Sequence, residues 1–181
     1  MTIKTLLFLY LSLTIFSCKP TNKNEVTINP TWTKFSLPNG WTFYAPKNFM
    51  TKALRGIDSD VGVINSKQES IYLQYDSGTE MIKKEKCSFQ NSFENAKESI
   101  HNGFYKEFYK VPFVHIAYID TIDNKIAVII KPTKNGQGTV GISISDCETG
   151  EWLGITGTGM TIEKEKLVLG IFKTIKLTQT N

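Results

Sequence analysis

Alternating apolar and polar residues predict a series of short β-strands beyond the first thirty positions. Ile71, Leu73 and Tyr75 share one face at a period of two, as in a half-buried strand. The predicted strands cover residues 35–37, 41–44, 61–64, 71–75, 111–119, 125–131, 140–144 and 152–156. Polar turns such as LPNG at residues 37–40 separate them, and Asn-Gly favours a tight hairpin. The pattern therefore predicts an antiparallel sheet built from hairpins.

One strand departs from this alternation. Residues 126–130 read IAVII and are apolar at consecutive positions. A strand with that pattern is covered on both faces, because the side chains on each face are apolar and favour burial. The segment therefore predicts a sheet with packed layers above and below it.

Two helices are predicted from apolar residues spaced three and four apart. The first begins at Asn91, which has the form of a capping box with Glu94, and carries Phe93, Ala96 and Ile100. The second follows residue 161 and has an apolar stripe made of Leu167, Val168, Ile171, Phe172 and Ile175. The predicted fold class is α+β, an antiparallel β-sheet flanked by helices on both faces.

The N-terminus has the pattern of a secretory signal. An apolar run at residues 6–16 follows the single charge of Lys4 and is shorter than the roughly 20 residues that a transmembrane helix needs. Residues 15–18 (IFSC) resemble the lipobox of bacterial lipoproteins, which implies that Cys18 carries the lipid through its thiol. Phe16 departs from the usual small residue in a way typical of Bacteroidota lipoproteins. The alternative is an ordinary secretion signal in which Cys18 is incidental.

The chain divides into three parts on this interpretation. Residues 1–17 form a lipoprotein signal peptide, residues 18–31 a lipidated flexible tether, and residues 32–181 a single globular domain. The tether has few apolar groups and two prolines, so it cannot order itself by burial. It lacks an acidic run of the kind associated with surface export. The predicted location is the cell envelope, lipid-anchored at the outer membrane and facing the periplasm.

Composition excludes one class of partner and leaves two alternatives for the state of the cysteines. The net charge of +4 falls to +3 without Lys4, and the 21 basic residues are interspersed with 17 acidic ones. Nucleic-acid binding needs clustered basic residues, so no nucleic-acid partner is expected. With Cys18 acylated, Cys87 and Cys147 remain, and in an oxidising envelope they either form a disulfide or stay as two free thiols.

Two motifs carry a family resemblance. The opening F-x-L-P-N-G-W-x-F-x-A-P-x-x-F at residues 35–49 and the segments ITGTGM and IFKTIK within residues 155–176 resemble the PsbP/DcrB-like group. The resemblance implies an α/β/α sandwich on an antiparallel sheet. It also implies accessory and binding proteins of the envelope or thylakoid lumen, commonly without catalysis. It supplies no site residues.

Residues that could carry chemistry are few. His101 and His115 lack partners at metal-ligand spacing, and Asp58 and Asp60 have the composition of a turn rather than of a calcium loop. GITGTG at residues 154–159 lacks the Lys-Ser/Thr of a phosphate loop, and no Gly-x-Ser-x-Gly motif occurs. The sequence therefore predicts no enzyme, no metal site and no cofactor.

Three hypotheses for function follow. The first is a lipid-anchored, non-catalytic binding or accessory module with an envelope protein partner. Its predicted partner surface is the aromatic and lysine segment with Tyr105, Lys106, Tyr109 and Lys110. The alternatives are an envelope hydrolase with unidentified carboxylates, and a structural or assembly lipoprotein.

Overall fold

Strands dominate the computed structural model, which describes residues 28–79, 88–101, 115–133 and 138–178. The strands are β1 Trp32–Ser36, β2 Trp41–Pro46, β3 Met50–Leu54, β4 Asp60–Ser66, β5 Ile71–Thr79, β6 His115–Ile122, β7 Lys125–Pro132, β8 Thr139–Ser145, β9 Glu151–Thr158 and β10 Lys176–Leu177. The helices are α1 Phe89–His101 and α2 Ile162–Phe172, with a 3-10 turn at Pro38–Gly40. No helix within these ranges is both long and apolar enough to cross a membrane.

The strands form two antiparallel sheets. Seven strands pair in the order β3-β4-β5-β9-β8-β7-β6, and β1, β2 and β10 make a smaller sheet. The predicted hairpins are confirmed: β1 pairs with β2, β4 with β5 and β6 with β7. β9 lies between β5 and β8, because Ile155 is opposite Tyr75 on one side and Ile142 on the other.

The turn chemistry accounts for the hairpins. Asp123 and Asn124 join β6 to β7 with φ of 50° and 61°, and two consecutive positive φ values match the twist of a tight hairpin. Asn39 and Gly40 adopt φ of 57° and 76° between β1 and β2. Asn, Asp and Gly tolerate this left-handed region best, so the sequence places them where the chain reverses.

The main core lies on one face of the seven-stranded sheet. The small sheet supplies Trp41 and Phe43, and α2 supplies Ile171 and Phe172, each at most 1% exposed. They pack on the inward side chains of the large sheet, which include Leu73, Tyr75, Ala127, Ile129, Ile142, Ile144, Leu153 and Ile155. This face is therefore covered by a sheet and a helix together.

Within the described ranges, α1 covers only part of the opposite face. Ala96 and Phe93 of α1 pack on Ile126 and Val128 of β7, with Ala117 and Ile119 of β6 beside them. Ala127 and Ile129 of the same strand belong to the main core, so the prediction that β7 is buried on both faces is confirmed. The predicted helical layers on both faces are met only in part, because the molecule is sheet-dominated and the main contacts of α1 are with β6 and β7.

The first helix, α1, starts earlier than predicted. α1 begins at Phe89, and the Ser88 hydroxyl accepts a hydrogen bond from the Asn91 amide at 3.1 Å. Ser88 therefore caps the helix, and Asn91 lies inside its first turn rather than at the predicted start. α2 begins after Thr161, whose side chain accepts from the Lys164 amide at 3.5 Å.

Candidate functional site

Most of the sequence-predicted site residues fall outside the described ranges. These are Cys18, Cys87, Tyr105, Lys106, Tyr109 and Lys110. The lipidation site and the aromatic and lysine surface therefore stay predictions. Cys147 is described and is disulfide-bonded, but the other half of that bond lies outside the described residues. Its pairing with Cys87 is still a prediction.

A polar cleft of about 370 Å³ lies beside Cys147, where the β6–β7 turn meets the β8–β9 loop. Lys125 is its central group. The ammonium lies 3.4 Å from Asp146 Oδ2 and 3.6 Å from Asp123 Oδ2, and its side chain is only 17% exposed. Two carboxylates thus neutralise one largely buried cation.

The same carboxylates shape the backbone around the cleft. Asp146 Oδ1 accepts from the amides of Glu148 and Thr149 at 2.9 and 3.4 Å, which fixes the β8–β9 loop. Asp123 Oδ2 accepts from the Leu177 amide at 3.3 Å and so ties β10 to the turn. Lys125, Asp123 and Asp146 are therefore already engaged in holding three segments together.

His115 has a structural bond as well. Its Nε2 accepts a hydrogen bond from the Thr139 amide at 2.7 Å, so this nitrogen carries no proton. Burial lowers the pKa of the imidazole below its usual value. The strand position predicted for His115 is confirmed, at the first residue of β6. His101 is the last residue of α1.

The acidic turn near Asp58 forms the wall of a second polar depression, of about 500 Å³. Asp60 Oδ2 accepts from the Asn39 side-chain amide at 3.2 Å, and the Asp60 carbonyl accepts from the Ser77 hydroxyl at 3.4 Å. These bonds attach the β3–β4 turn to its neighbours. In the described part of the chain, no three His, Cys, Asp or Glu side chains are grouped as metal ligands.

A cluster that sequence reasoning missed brings together Tyr118 of β6 and Glu165 of α2. Burial, with Asp120 and then Glu165, raises the pKa of the Tyr118 phenol. Glu165 is 6% exposed, and its Oε2 has no hydrogen-bond partner. A phenol is already protonated near neutral pH, and raising its pKa moves its deprotonation further from that range, so Tyr118 is a poor base. Glu165 and Tyr118 are 47 positions apart along the chain, which hides the cluster from any local motif.

The part of the sheet left open by α1 forms the other candidate site. We define the open face as Met50, Lys52 and Leu54 of β3, Tyr72 and Gln74 of β5, and Gly154 and Thr156 of β9. Strand register places them on one side of the sheet. Met50 lies opposite Asn65, and Asn65 lies opposite Tyr72. The next row across the strands is Lys52, Val63, Gln74 and Thr156. Met50, Leu54 and Tyr72 are 53%, 47% and 54% exposed.

The two edges of the large sheet differ in cover. Among the described strands β3 pairs only with β4, and all its residues are exposed except the half-buried Thr51. β6, at the other edge, packs Ala117 and Ile119 beneath α1 and is mostly half-buried. The open face therefore continues into β3, whose outer edge pairs with no other described strand.

Small residues form the floor of the open face. Of the described atoms, only the Asp76 carbonyl oxygen, at 3.8 Å, would lie within 4 Å of a Cβ added at Gly154, so none of them crowds the space above this glycine. The indole of Trp152 lies against Gly78, with Nε1 3.1 Å from where a Cβ would stand. A shallow surface with an aromatic rim results, suited to contact rather than to enclosing a small molecule.

Comparison with known proteins supports the fold alone. No family model matches the chain, and no curated protein matches it. The solution structure of cyanobacterial PsbP (CyanoP) from Synechocystis sp. PCC 6803 is similar, with a TM-score of 0.51 and 10% identity over 88% of this chain and 100% of that one. A crystal structure from Bacteroides thetaiotaomicron VPI-5482 has a TM-score of 0.48 and 9% identity over 82% of this chain and 49% of that one. The fold is PsbP-like.

Proposed function

We propose that the protein is a non-catalytic binding or accessory module, held at the cell envelope by a lipid on Cys18 and facing the periplasm from the outer membrane. The observation that carries the proposal is the open face, where Met50, Leu54 and Tyr72 are each about half exposed on a rigid sheet. Large apolar side chains grouped on a surface favour association with a partner, because covering them releases water.

The rigidity of the surface supports binding. β5 and β9 of the open face pair along Leu73 to Thr79, and each has hydrogen-bonded neighbours on both sides. A surface that is already ordered loses little conformational entropy when a partner docks. The proposed partner is an envelope protein, with no nucleic acid and no cofactor.

The state of the ionisable groups disfavours the hydrolase alternative. A hydrolytic carboxylate or base must reach a substrate proton, and Asp123 and Asp146 instead pair with Lys125. His115 directs its lone pair at a backbone amide. These groups support the strands and loops that they join.

The finer classification as an α/β/α sandwich of the PsbP/DcrB-like group belongs to the same proposal. Its support is that α1 and α2 contribute to clusters on opposite faces of β7. The membrane anchor has its support in the lipobox-like residues 15–18.

The binding role is tested with a photo-crosslinking amino acid placed in cells. The probe replaces Tyr72 on the open face, and a control probe replaces Lys166, an exposed residue of α2 on the other side of the molecule. We expect a discrete adduct from position 72 and none from position 166. Equal labelling from both positions, or none from either, contradicts the proposal. A stoichiometric partner that survives detergent extraction would favour the assembly-lipoprotein alternative.

The anchor is tested separately. Cys18→Ser removes the thiol that would carry the lipid, so labelled fatty acid should no longer be incorporated and the precursor should stay uncleaved or become soluble. Burial of acyl chains contributes about 0.8 kcal/mol per methylene, so two or three chains hold a protein firmly. Undiminished labelling of the variant would show that Cys18 is not the lipidated residue.

A further inference from the structure

β3 has the features of an edge strand that is available for pairing. Alternate residues of an antiparallel edge strand present backbone N–H and C=O groups away from the sheet. In the described ranges no strand pairs with the outer side of β3, which spans Met50–Leu54. Exposure of both of its faces leaves room for a strand beside it and for that strand's side chains.

The edge carries unpaired positive charge. Lys52 stands at the centre of β3. Lys47 lies three residues before the first residue of the strand, Arg55 directly follows its last residue, and all three side chains are exposed. None forms an ion pair within 4.0 Å with an acidic group of the described chain. The strand therefore has an electrostatic preference for acidic residues.

The same lysine disfavours a second copy of this chain. An antiparallel pair of β3 strands centred on Lys52 would place Lys52 opposite Lys52, and like charges directly opposite each other destabilise strand pairing. Met50 and Leu54 flank Lys52 two residues away on the same face. Met50 and Leu54 could each contact an apolar side chain of an added strand whose central residue is not a lysine.

We propose that β3 receives an extended segment of a partner protein as an eighth strand of the large sheet. An acidic residue of that segment lies opposite Lys52, and apolar residues two positions to either side lie opposite Met50 and Leu54. The inference rests on the proposed binding function and names its structural mode. Main-chain hydrogen bonds supply affinity, and the Lys52, Met50 and Leu54 contacts supply selectivity.

A designed peptide tests the charge and the apolar contacts. The probe is a seven-residue peptide of threonines with valine at positions two and six and glutamate at position four, titrated into the full-length protein in detergent. Lys52→Glu should weaken binding about five- to tenfold, because a favourable cross-strand pair becomes a repulsive one. A peptide with lysine at position four should bind the Lys52→Glu variant as tightly as the glutamate peptide binds the unaltered protein. The matched control, Lys166→Glu, should bind like the unaltered protein.

Backbone methylation tests strand addition itself. Two versions of the peptide carry N-methyl groups at alternate residues, in the two complementary sets. A strand that pairs along one side loses hydrogen bonds from only one set, so one version should fail to bind and the other should bind normally. Equal binding or equal loss for the two versions overturns strand addition, as does absence of binding by the unmethylated peptide.

The outcomes separate this inference from the proposed function. If the probe at position 72 captures a partner while the peptides ignore β3, the binding module stands and strand addition is wrong. If sedimentation shows that the unaltered protein dimerises and that the peptide dissociates the dimer, a second copy occupies the edge and the inference is wrong. We expect a monomer.

Discussion

At the scale of single residues, the His115 hydrogen bond makes stability depend on pH. Nε2 can accept from the Thr139 amide only while it is unprotonated, and burial lowers the pKa in the folded state. Because the folded-state pKa is lowered, the hydrogen bond contributes fully to stability above the unfolded-state pKa near 6.5. That contribution is lost as the pH falls through the folded-state pKa.

We therefore expect the free energy of unfolding to fall by about 1 kcal/mol, beyond the general acid effect, between pH 7 and pH 4.5. The comparison is His115→Gln, whose amide oxygen can accept a hydrogen bond but does not titrate. Urea unfolding at each pH measures both proteins. A difference between them that does not change with pH would contradict the role of His115.

Two glycines of β9 make a matched pair. A Cβ at Gly157 would collide with Leu73 Cδ2 and Met160 Cε and would lie 2.9 Å from the Tyr72 carbonyl oxygen, whereas Gly154 has open space above it. We expect Gly157→Ala to lower the free energy of unfolding by about 1–3 kcal/mol through overpacking. Gly154→Ala should change it by less than about 0.5 kcal/mol. Denaturant titration measures both, and equal effects would refute the difference in packing.

At the scale of elements, the two helices differ in how firmly they are held. Ala96 is the buried hydrophobic residue described in α1, whereas α2 buries Val168, Ile171 and Phe172. Local opening needs less free energy where fewer apolar contacts are broken. The amides of α1 should therefore exchange with deuterium faster than those of α2.

Val128→Ala extends that comparison, because Val128 belongs to the cluster beneath α1 and not to the main core. We expect it to speed exchange in α1 and leave α2 nearly unchanged at low denaturant. Mass spectrometry of peptic fragments measures both helices in one sample. Parallel acceleration of the two helices would show that they open together.

Sequence patterns predicted most of these elements, and the exceptions have a common cause. Strands with a buried face were predicted because burial imposes a period of two, as at Ile71, Leu73 and Tyr75. β3 was not predicted, since MTKAL is exposed on both faces and no buried side imposes a pattern on it. β10 is two residues long and carries too little pattern to recognise.

The candidate site could not be predicted for a related reason. The open face is assembled from β3, β5 and β9, and its residues become neighbours only through strand order. Nothing in Met50, Tyr72 or Gly154 taken singly indicates a shared surface. β9 lies between β5 and β8, which precede it by long and different separations along the chain, so no local signal marks its place.

At the scale of the whole molecule, we expect the disulfide at Cys147 to raise the free energy of unfolding. The predicted partner, Cys87, is 60 residues away along the chain, and closing a loop of that length contributes about 4 kcal/mol in the chain-entropy model. We expect Cys87→Ser and Cys147→Ser to lower the free energy of unfolding by similar amounts. Reductant should lower that of the unaltered protein equally and leave the variants unaffected.

Peptide mapping of the protein taken from the envelope identifies the bonded pair directly. A single crosslinked fragment containing Cys87 and Cys147 is the expected result. Joining of Cys147 to Cys18 instead would rule out both this pairing and the lipid anchor at Cys18.

The place of β9 in the large sheet also bears on the order in which the protein is assembled. β9 is the last of the seven strands to be synthesised, yet it occupies the central position. Until it arrives, β3–β5 and β6–β8 are two separate three-stranded units, and β5 and β8 each present an edge that the finished protein conceals. The sheet therefore cannot close during synthesis of its first six strands. For that interval the nascent chain is exposed to mispairing and aggregation.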